Sequence, residues 1–444
     1  MKTISQNEHR ERRLRLMEQM DPGSIAIIPS AIEQIRNNDV YYPFRQNSDF
    51  QYLTGFGEPD ALCVLMPGRE AAEYVLFVRD KNKEREIWDG YRAGPDGVVA
   101  DFDADDAFPI DDLDDILPGL MEGRARVYAH MGVNTAFDNR LMGWLNQIRG
   151  KVRQGAVPPD DFSDIAHLLH DMRLIKSRQE IAIMADAANI SAKAHVRAMK
   201  ACKPGVWEYQ LQAEIEHDFM LAGSPRPAYS AIVGGGDNAC ILHYVENNQK
   251  LQDGDLVLID AGAELQYYAS DITRTFPVGG TFSPEQRAIY DLVLASQYAA
   301  IAAIRAGAHW NEAHEATLAV ITAGLLELGL LTGTVEQLIA TEAYKEFFMH
   351  KTGHWLGLDV HDVGSYKLGG QWRVLEVGMV LTVEPGIYIS PSNMAVEAKW
   401  RGIGVRIEDD VVVTKDGCDV LSKDVPKEAA DIEALMHGGQ SQLF

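Results

Sequence analysis

The sequence predicts an α+β protein of two domains. A smaller N-terminal domain of α/β type precedes a larger one, in which helices cover one face of an antiparallel sheet. Three observations carry this reading. The 444 residues exceed one ordinary domain of about 150 and suggest two or three. The composition, 46% hydrophobic and 24% charged, is that of a globular chain able to bury a core in each domain. The texture changes at Met172, which sets the domains at 1–172 and 173–444.

In chain order, the first part mixes short strand-like runs at 24–29, 61–66 and 74–78 with turns. Between 101 and 115, eight of fifteen residues are Asp, which reads as a solvated loop or helix face. The stretch VRQGAVPPDD reads as a connector, because Pro158-Pro159 discourages regular structure. Beyond Met172, Ser177-x-x-Glu180 is a capping box opening a long helix, with Ile181, Met184, Ala188 and Val196 on one face. It stops before Pro204-Gly205. A second helix spans roughly 207–221 and ends at Gly223. Ser283-Pro284-x-Gln286 starts a third, with Pro at the first helical position, and a fourth runs to about Gly329. Strands are expected at 230–233, 256–261, 268–278, 380–389 and 404–414. Helices alternating with hairpin-like strands give the α+β class.

Composition and motifs exclude several functions. Lys plus Arg total 41 against 65 for Asp plus Glu, a formal net charge of −24. A basic face for nucleic acid or an acidic membrane is hard to assemble from that balance. No apolar run approaches ~20 residues, so no membrane span is expected. The N-terminus lacks a signal-type apolar core, and Cys63, Cys202, Cys240 and Cys418 are scattered without CxxC. Both features lead us to expect a cytoplasmic protein. There is no GxSxG elbow and no phosphate-binding loop. Gly234-Gly235-Gly236 does not complete GxGxxG and reads as a turn or close approach. His314-Glu315 begins like HExxH, but Leu318 holds the second histidine position, so His314 reads as a helix-surface residue.

The C-terminal strands share an anomaly. In LVLIDAG, Asp260 alternates onto the face of Leu256 and Leu258, opposite Val257 and Ile259. Asp271 shares a face with Thr273 and Thr275, Glu384 with Thr382, and Glu408 with Arg406. A carboxylate among Val, Ile and Leu is costly to bury unless it is paired or bound to metal. Any one of these acids has a structural explanation; four in the same kind of position do not. His350, His354 and His361 crowd a glycine-punctuated stretch nearby, where Gly353 favours loop or strand over helix. One imidazole with four carboxylates suits two divalent ions about 3.5–4 Å apart, able to supply a hydroxide nucleophile near neutral pH. Such oxygen-rich ligation favours Mn²⁺, Co²⁺ or Zn²⁺ over a thiolate-type zinc site.

The order Asp260, Asp271, His354, Glu384 in VEPG and Glu408 in RIEDD resembles the pita-bread metallopeptidases, among them methionine aminopeptidase, prolidase and aminopeptidase P. The stretches YPFRQNSDFQYLTGFGEPDA, ACILHYVENN, DGDLVLIDAGAE, DITRTFPV, HWLGLDVHDVG and RGIGVRIEDDVVVT look most like the bacterial aminopeptidase P branch, over nearly the whole chain. That resemblance implies a pita-bread C-terminal domain. It also implies an enzyme releasing the N-terminal residue from peptides with proline second, by a hydroxide bridging two metal ions, Mn²⁺ foremost. Asp260 would ligate one metal, Asp271 and Glu408 would bridge, and His354 and Glu384 would hold the second. Glu384 would also shuttle a proton, and His243 and His361 would donate hydrogen bonds at the scissile bond. His350, Tyr229 and Arg406 would shape the proline side, with Arg406 also able to brace a ligand. A homotetramer is implied, in which Trp88 or Asp39 of a neighbour reaches the rim. Lys351 departs from the family pattern, which has a small residue there, and is expected to point to solvent. The alternatives are a prolidase restricted to X–Pro dipeptides, or a metal-free pita-bread binding protein. The first would bind a free proline carboxylate, and the second would lose the carboxylate ligands.

Overall fold

The structure, a computed structural model, describes residues 2–439. It contains two compact units, one spanning Ile4–Arg173 and a larger one from Leu174 onward that also includes Lys2 and Thr3.

The N-terminal unit is built on a six-stranded mixed sheet. Its order is Asp106–Pro109, Tyr74–Val78, Leu62–Leu65, Ile25–Pro29, Arg126–Ala129 and Asp161–Asp164. The runs LCVL and YVLFV are buried at every position, as expected for strands covered on both faces. On one side Leu113, Leu117, Leu141, Trp144 and Ile148, from two helices, pack on Ile25, Ile27, Val64 and Phe77. All eight acids of the 101–115 cluster are exposed.

In the larger unit the helices follow their sequence signals. Ser177 and Ser283 each close a capping box, opening Arg178–Ala201 and Pro284–Ala303. Glu208–Leu221 and Trp310–Glu327 complete the set. Their apolar faces (Ala194, Leu211, Ile215, Tyr290, Val293, Ile321) meet Val257, Ile259, Phe276, Val405 and Ile407 in one core. Leu258 faces the other way, into a separate cluster with Ile232, Tyr244 and Tyr388. From Val257 onward the alternation read from LVLIDAG sorts helix side from site side, while Leu256 joins the helix-side core. Among the described residues, no helix is long and apolar enough to cross a membrane.

Three strands differ from expectation. The runs at 268–278, 380–389 and 404–414 are each two strands: Tyr268–Ala269 and Thr273–Pro277, Val380–Val383 and Gly386–Ile389, Ile403–Arg406 and Asp409–Val413. Asp271, Glu384 and Glu408 each fall in a break. At all three breaks the halves change partners: Tyr268–Ala269 pairs with Ala263–Leu265 and Thr273–Pro277 with Leu256–Asp260, while Val380–Val383 pairs with Asp409–Val413 and Gly386–Ile389 with Ile403–Arg406. Pro385, which has no N–H to give a ladder, helps end the first half of its run. The freed amides of the acids are satisfied by tertiary partners. Asp271 N–H donates to Asp410, Glu384 N–H to Thr352 O at 2.7 Å, and Glu408 N–H to Thr273 O at 3.1 Å.

Candidate metal centre

The breaks and one strand end bring the carboxylates together. Asp260 ends Leu256–Asp260 and pairs in register with Thr273, just past the Asp271 break. His354 sits in a loop fastened to the strand Val380–Val383: its N–H donates to Thr382 Oγ1 at 3.1 Å, and its carbonyl accepts from Thr382 N at 3.0 Å. The approach requires glycine at 353, because a Cβ there would lie 2.0 Å from Thr382 O. Asp260, Asp271, His354, Glu384 and Glu408 line one cavity of about 270 Å³, with His243, His350, His361 and Arg406 in the same wall.

Within it the imidazole of His354 is oriented. Its Nδ1 donates to Trp355 O at 2.9 Å, which leaves Nε2 facing Asp271 Oδ2 at 3.3 Å and Glu384 Oε1 at 3.8 Å. A backbone bond on one nitrogen that turns the other toward acids is how a histidine ligand is set. Tyr229 Oη lies 2.5 Å from both Asp260 Oδ1 and Asp271 Oδ1. Arg406 is buried and makes three contacts: Asp260 Oδ2 at 2.6 Å, Tyr388 Oη at 3.0 Å and Thr273 Oγ1 at 3.1 Å. Thr273 Oγ1 donates onward to Glu408 Oε2 at 2.6 Å.

The electrostatics of the five groups favour a cation among them. Burial, then the negative charges of Asp271, Glu384 and Asp260, holds the Glu408 carboxyl well above its ordinary range. Asp271 is raised by burial and by Asp260. Glu384 is pushed up to about 7, mainly by burial. Burial acts to lower His354, but its hydrogen bond to Asp271 and the charge of Glu384 carry it up to about 9. A cation between these groups removes the repulsion. Asp271, His354 and Glu408 already offer ligand atoms within 4.8 Å of one another. Asp260 and Glu384 complete a donor set of four carboxylates and one imidazole, which fits two divalent ions.

Comparison with known proteins places this geometry. A family model described as metallopeptidase family M24 matches residues 182–415, the span that holds the whole donor set. The chain belongs to metallopeptidase family M24. A second model, the aminopeptidase P N-terminal domain, matches residues 9–128. The chain is 46% identical to the Xaa-Pro aminopeptidase of Escherichia coli over 443 residues, covering 100% of both. It is 44% identical to that of Haemophilus influenzae, covering 98% of this chain and 99% of the relative. Among solved structures it superposes on the aminopeptidase PepP of Pseudomonas aeruginosa with a TM-score of 0.99, at 61% identity and with full coverage of both chains. The larger unit of this M24 chain has the pita-bread fold, and the chain carries the separate N-terminal domain of aminopeptidase P.

The remaining sequence-read positions separate. His243 and His361 are exposed, and the His361 ring meets that of His354 edge-on at 4.4 Å. His350 is braced in the wall: Nε2 accepts from Tyr388 Oη at 2.8 Å, Nδ1 donates to Lys351 O at 2.7 Å, and burial lowers it to about 4. Lys351 is exposed. Trp88 and Asp39 belong to the N-terminal unit, Trp88 85% exposed and Asp39 in the turn between Ile35–Asn37 and Val40–Tyr41. His314 is not a surface residue. It is half-buried, with Nδ1 at 2.8 Å from Thr352 Oγ1, because its helix packs on the loop carrying His350 and His354.

Sequence reasoning gave no role to Thr273, Thr382 or Tyr388. The first two carried a usable signal, since each lies two residues from a candidate ligand and on its face. Tyr388 lies beyond the Glu384 break, where no strand period reaches.

Proposed function

We propose that this chain is an Xaa-Pro aminopeptidase, releasing the first residue of peptides whose second residue is proline. The catalytic domain would be 173–444, with 1–172 as its N-terminal domain. The observation that carries the reading is the convergence of Asp260, Asp271, His354, Glu384 and Glu408 on one cavity, with His243 and His361 in the same wall. The Xaa-Pro aminopeptidases it resembles over its full length support it.

The five residues would hold two divalent ions, which when bound would supply the Lewis acidity for a hydroxide nucleophile near neutral pH. Asp271 and Glu408 would be shared by both ions, Asp260 would serve one, and His354 and Glu384 would serve the other. Glu384 would take the proton of the attacking water and return it to the proline nitrogen. His243 and His361 donate to the substrate and to the oxyanion of the tetrahedral state. An X–Pro bond lacks an N–H, so recognition falls to shape. His350, held by Tyr388, forms a wall for the ring, while Tyr229 and Arg406 hold the Asp260 side. Arg406, spent on Asp260, Tyr388 and Thr273, acts chiefly by bracing the ligand. Manganese is the working metal, ahead of cobalt and zinc. The enzyme acts in the cytoplasm as a homotetramer, with Trp88 or Asp39 of a neighbouring copy at the rim, and has no nucleic-acid or membrane partner.

The test is release of the first residue from an X–Pro–Y tripeptide by protein stripped with chelator and reloaded with Mn²⁺. Activity that ignores the metal overturns the mechanism. Cleavage of X–Pro dipeptides alone reassigns the chain to prolidase chemistry.

A further inference from the structure

The mechanism above makes no use of a second convergence of metal-binding side chains, which lies wholly within the N-terminal unit. Asp49 comes from the helix Ser48–Thr54, His130 follows the strand Arg126–Ala129, and His170 belongs to the helix Ala166–Leu174. Both histidines present Nε2 to the same carboxylate oxygen, Asp49 Oδ2, at 2.8 Å from His130 and 3.2 Å from His170. The two rings lie 5.5 Å apart between centroids. Ligand atoms of all three fall within 4.8 Å of one another. From these contacts we propose that Asp49, His130 and His170 form a mononuclear site for a borderline transition-metal cation, Zn²⁺ in the first place, which ties three segments of the N-terminal unit together.

The geometry is close to what coordination needs. Zinc bonds of about 2.0–2.2 Å to N and O in tetrahedral array put neighbouring ligand atoms about 3.3 Å apart. The two Nε2–Oδ2 separations need change by only a few tenths of an ångström to admit the ion. The surrounding groups are arranged as around a ligand set. Asp164 Oδ1 lies 3.2 Å from His130 Nδ1, placed to hold the proton there while Nε2 is free to bind. Arg173 Nη1 holds the other oxygen of Asp49 at 2.7 Å, which fixes the carboxylate while leaving Oδ2 to the ion. The Arg173 charge also moderates affinity. The side chains are 7%, 18% and 27% exposed for Asp49, His130 and His170. The ion's fourth position would therefore open toward His170 and take water. Thiols are absent from the set, and two imidazoles with one carboxylate suit Zn²⁺ or Co²⁺ better than Mg²⁺ or Ca²⁺.

The site is independent of the dinuclear centre, and its test reads metal, not turnover. Full-length protein is stripped, equilibrated with excess Zn²⁺, freed of loosely held ion and assayed for metal per chain. We expect one equivalent beyond those held by the dinuclear centre. His170→Gln removes that equivalent and leaves the rest. Glu408→Ala does the reverse, depleting the dinuclear centre and keeping the additional ion. Asp164→Asn weakens the additional site by roughly 10-fold or more, the usual cost of losing a histidine's outer partner. Should His170→Gln fail to fold, Co²⁺ titration of the unaltered chain still decides, because filling this site adds a tetrahedral Co²⁺ absorption band. A chain that binds no additional equivalent, or an additional equivalent that survives in folded His170→Gln, overturns the proposal and leaves a hydrogen-bonded ion-pair cluster only.

Discussion

Asp409 and Glu408 are adjacent and both fully buried, yet their pockets are opposites. Asp409 receives four donors: Arg274 Nη2 at 2.7 Å, Ser422 Oγ at 2.7 Å, Lys427 Nζ at 2.6 Å and Gln297 Nε2 at 3.1 Å. Burial alone would raise its carboxyl, but the charges of Arg274 and Lys427 hold it far below the usual range. Glu408 receives Thr273 Oγ1, and burial with the charges of Asp271, Glu384 and Asp260 outweighs the opposing charge of Arg406 and lifts it well above that range. Asp409, enclosed by donors and cations of the protein on every side, is structural. A buried acid surrounded by other acids is stable as an anion only when a cation arrives from outside. The difference teaches how two adjacent buried acids take opposite roles, one holding the fold and one waiting on a cation.

The contrast can be broken most directly by removing each acid in turn. Glu408→Ala should lower kcat/KM on the order of 10³-fold, the equivalent of several kcal/mol of transition-state charge stabilisation. Metal content should fall, while the thermal midpoint of the chelated protein should hold or rise, since repulsion is relieved. An unchanged content of two ions in the dinuclear centre would refute the bridging role. Asp409→Ala should do the reverse. It leaves Arg274 buried without its partner and should cost about 3–5 kcal/mol in urea unfolding, while the folded fraction keeps its metal. Loss of metal at unchanged stability would show that the two pockets had been confused.

Acid titration of chelated protein sharpens the same contrast through sign. Asp409, with its folded value depressed, contributes stability present above about pH 4, the unfolded carboxyl value, and lost as pH falls below it. Glu384, raised to about 7, does the opposite: its contribution is present below the unfolded value and is lost as pH rises through 7. Glu384→Gln should therefore be more stable than the unaltered chelated protein at pH 8, by a few kcal/mol at most. The gap should close near pH 4. A gap independent of pH would remove the electrostatic account. The smallest effect belongs to Lys351, which borders the same cavity as Glu408 but is exposed. Lys351→Gly should alter stability by no more than about 0.5 kcal/mol and leave metal content unchanged; a larger change would mean that the exposed ammonium acts on the centre.

Legibility in the sequence followed the range of the interaction. Capping boxes at Ser177 and Ser283 involve residues three apart, and the helices begin where those signals stand. The face of Asp260 followed from strict alternation in LVLID. The same period failed where strands break at Asp271, Glu384 and Glu408, because a break is set by which sheet each half joins. The partners that make Asp409 structural, Arg274 and Lys427, lie far off in the chain in one case and past a turn in the other. EDD alone could not sort its three acids.

By itself, the sequence determined the α+β class, the starts of the capped helices at Ser177 and Ser283, and a set of acids too apolar in their surroundings to be ordinary surface charge. These are local facts, written in periods of two and 3.6 residues and in caps. Only the tertiary structure decided which acids meet each other and which meet a cation of the protein. It also decided that Arg406 and Thr273 brace the centre, that His314 faces inward, and that Asp49, His130 and His170 share one oxygen. The reason is physical: electrostatic cost and metal affinity depend on distances of a few ångströms in space, and separation along the chain does not report them.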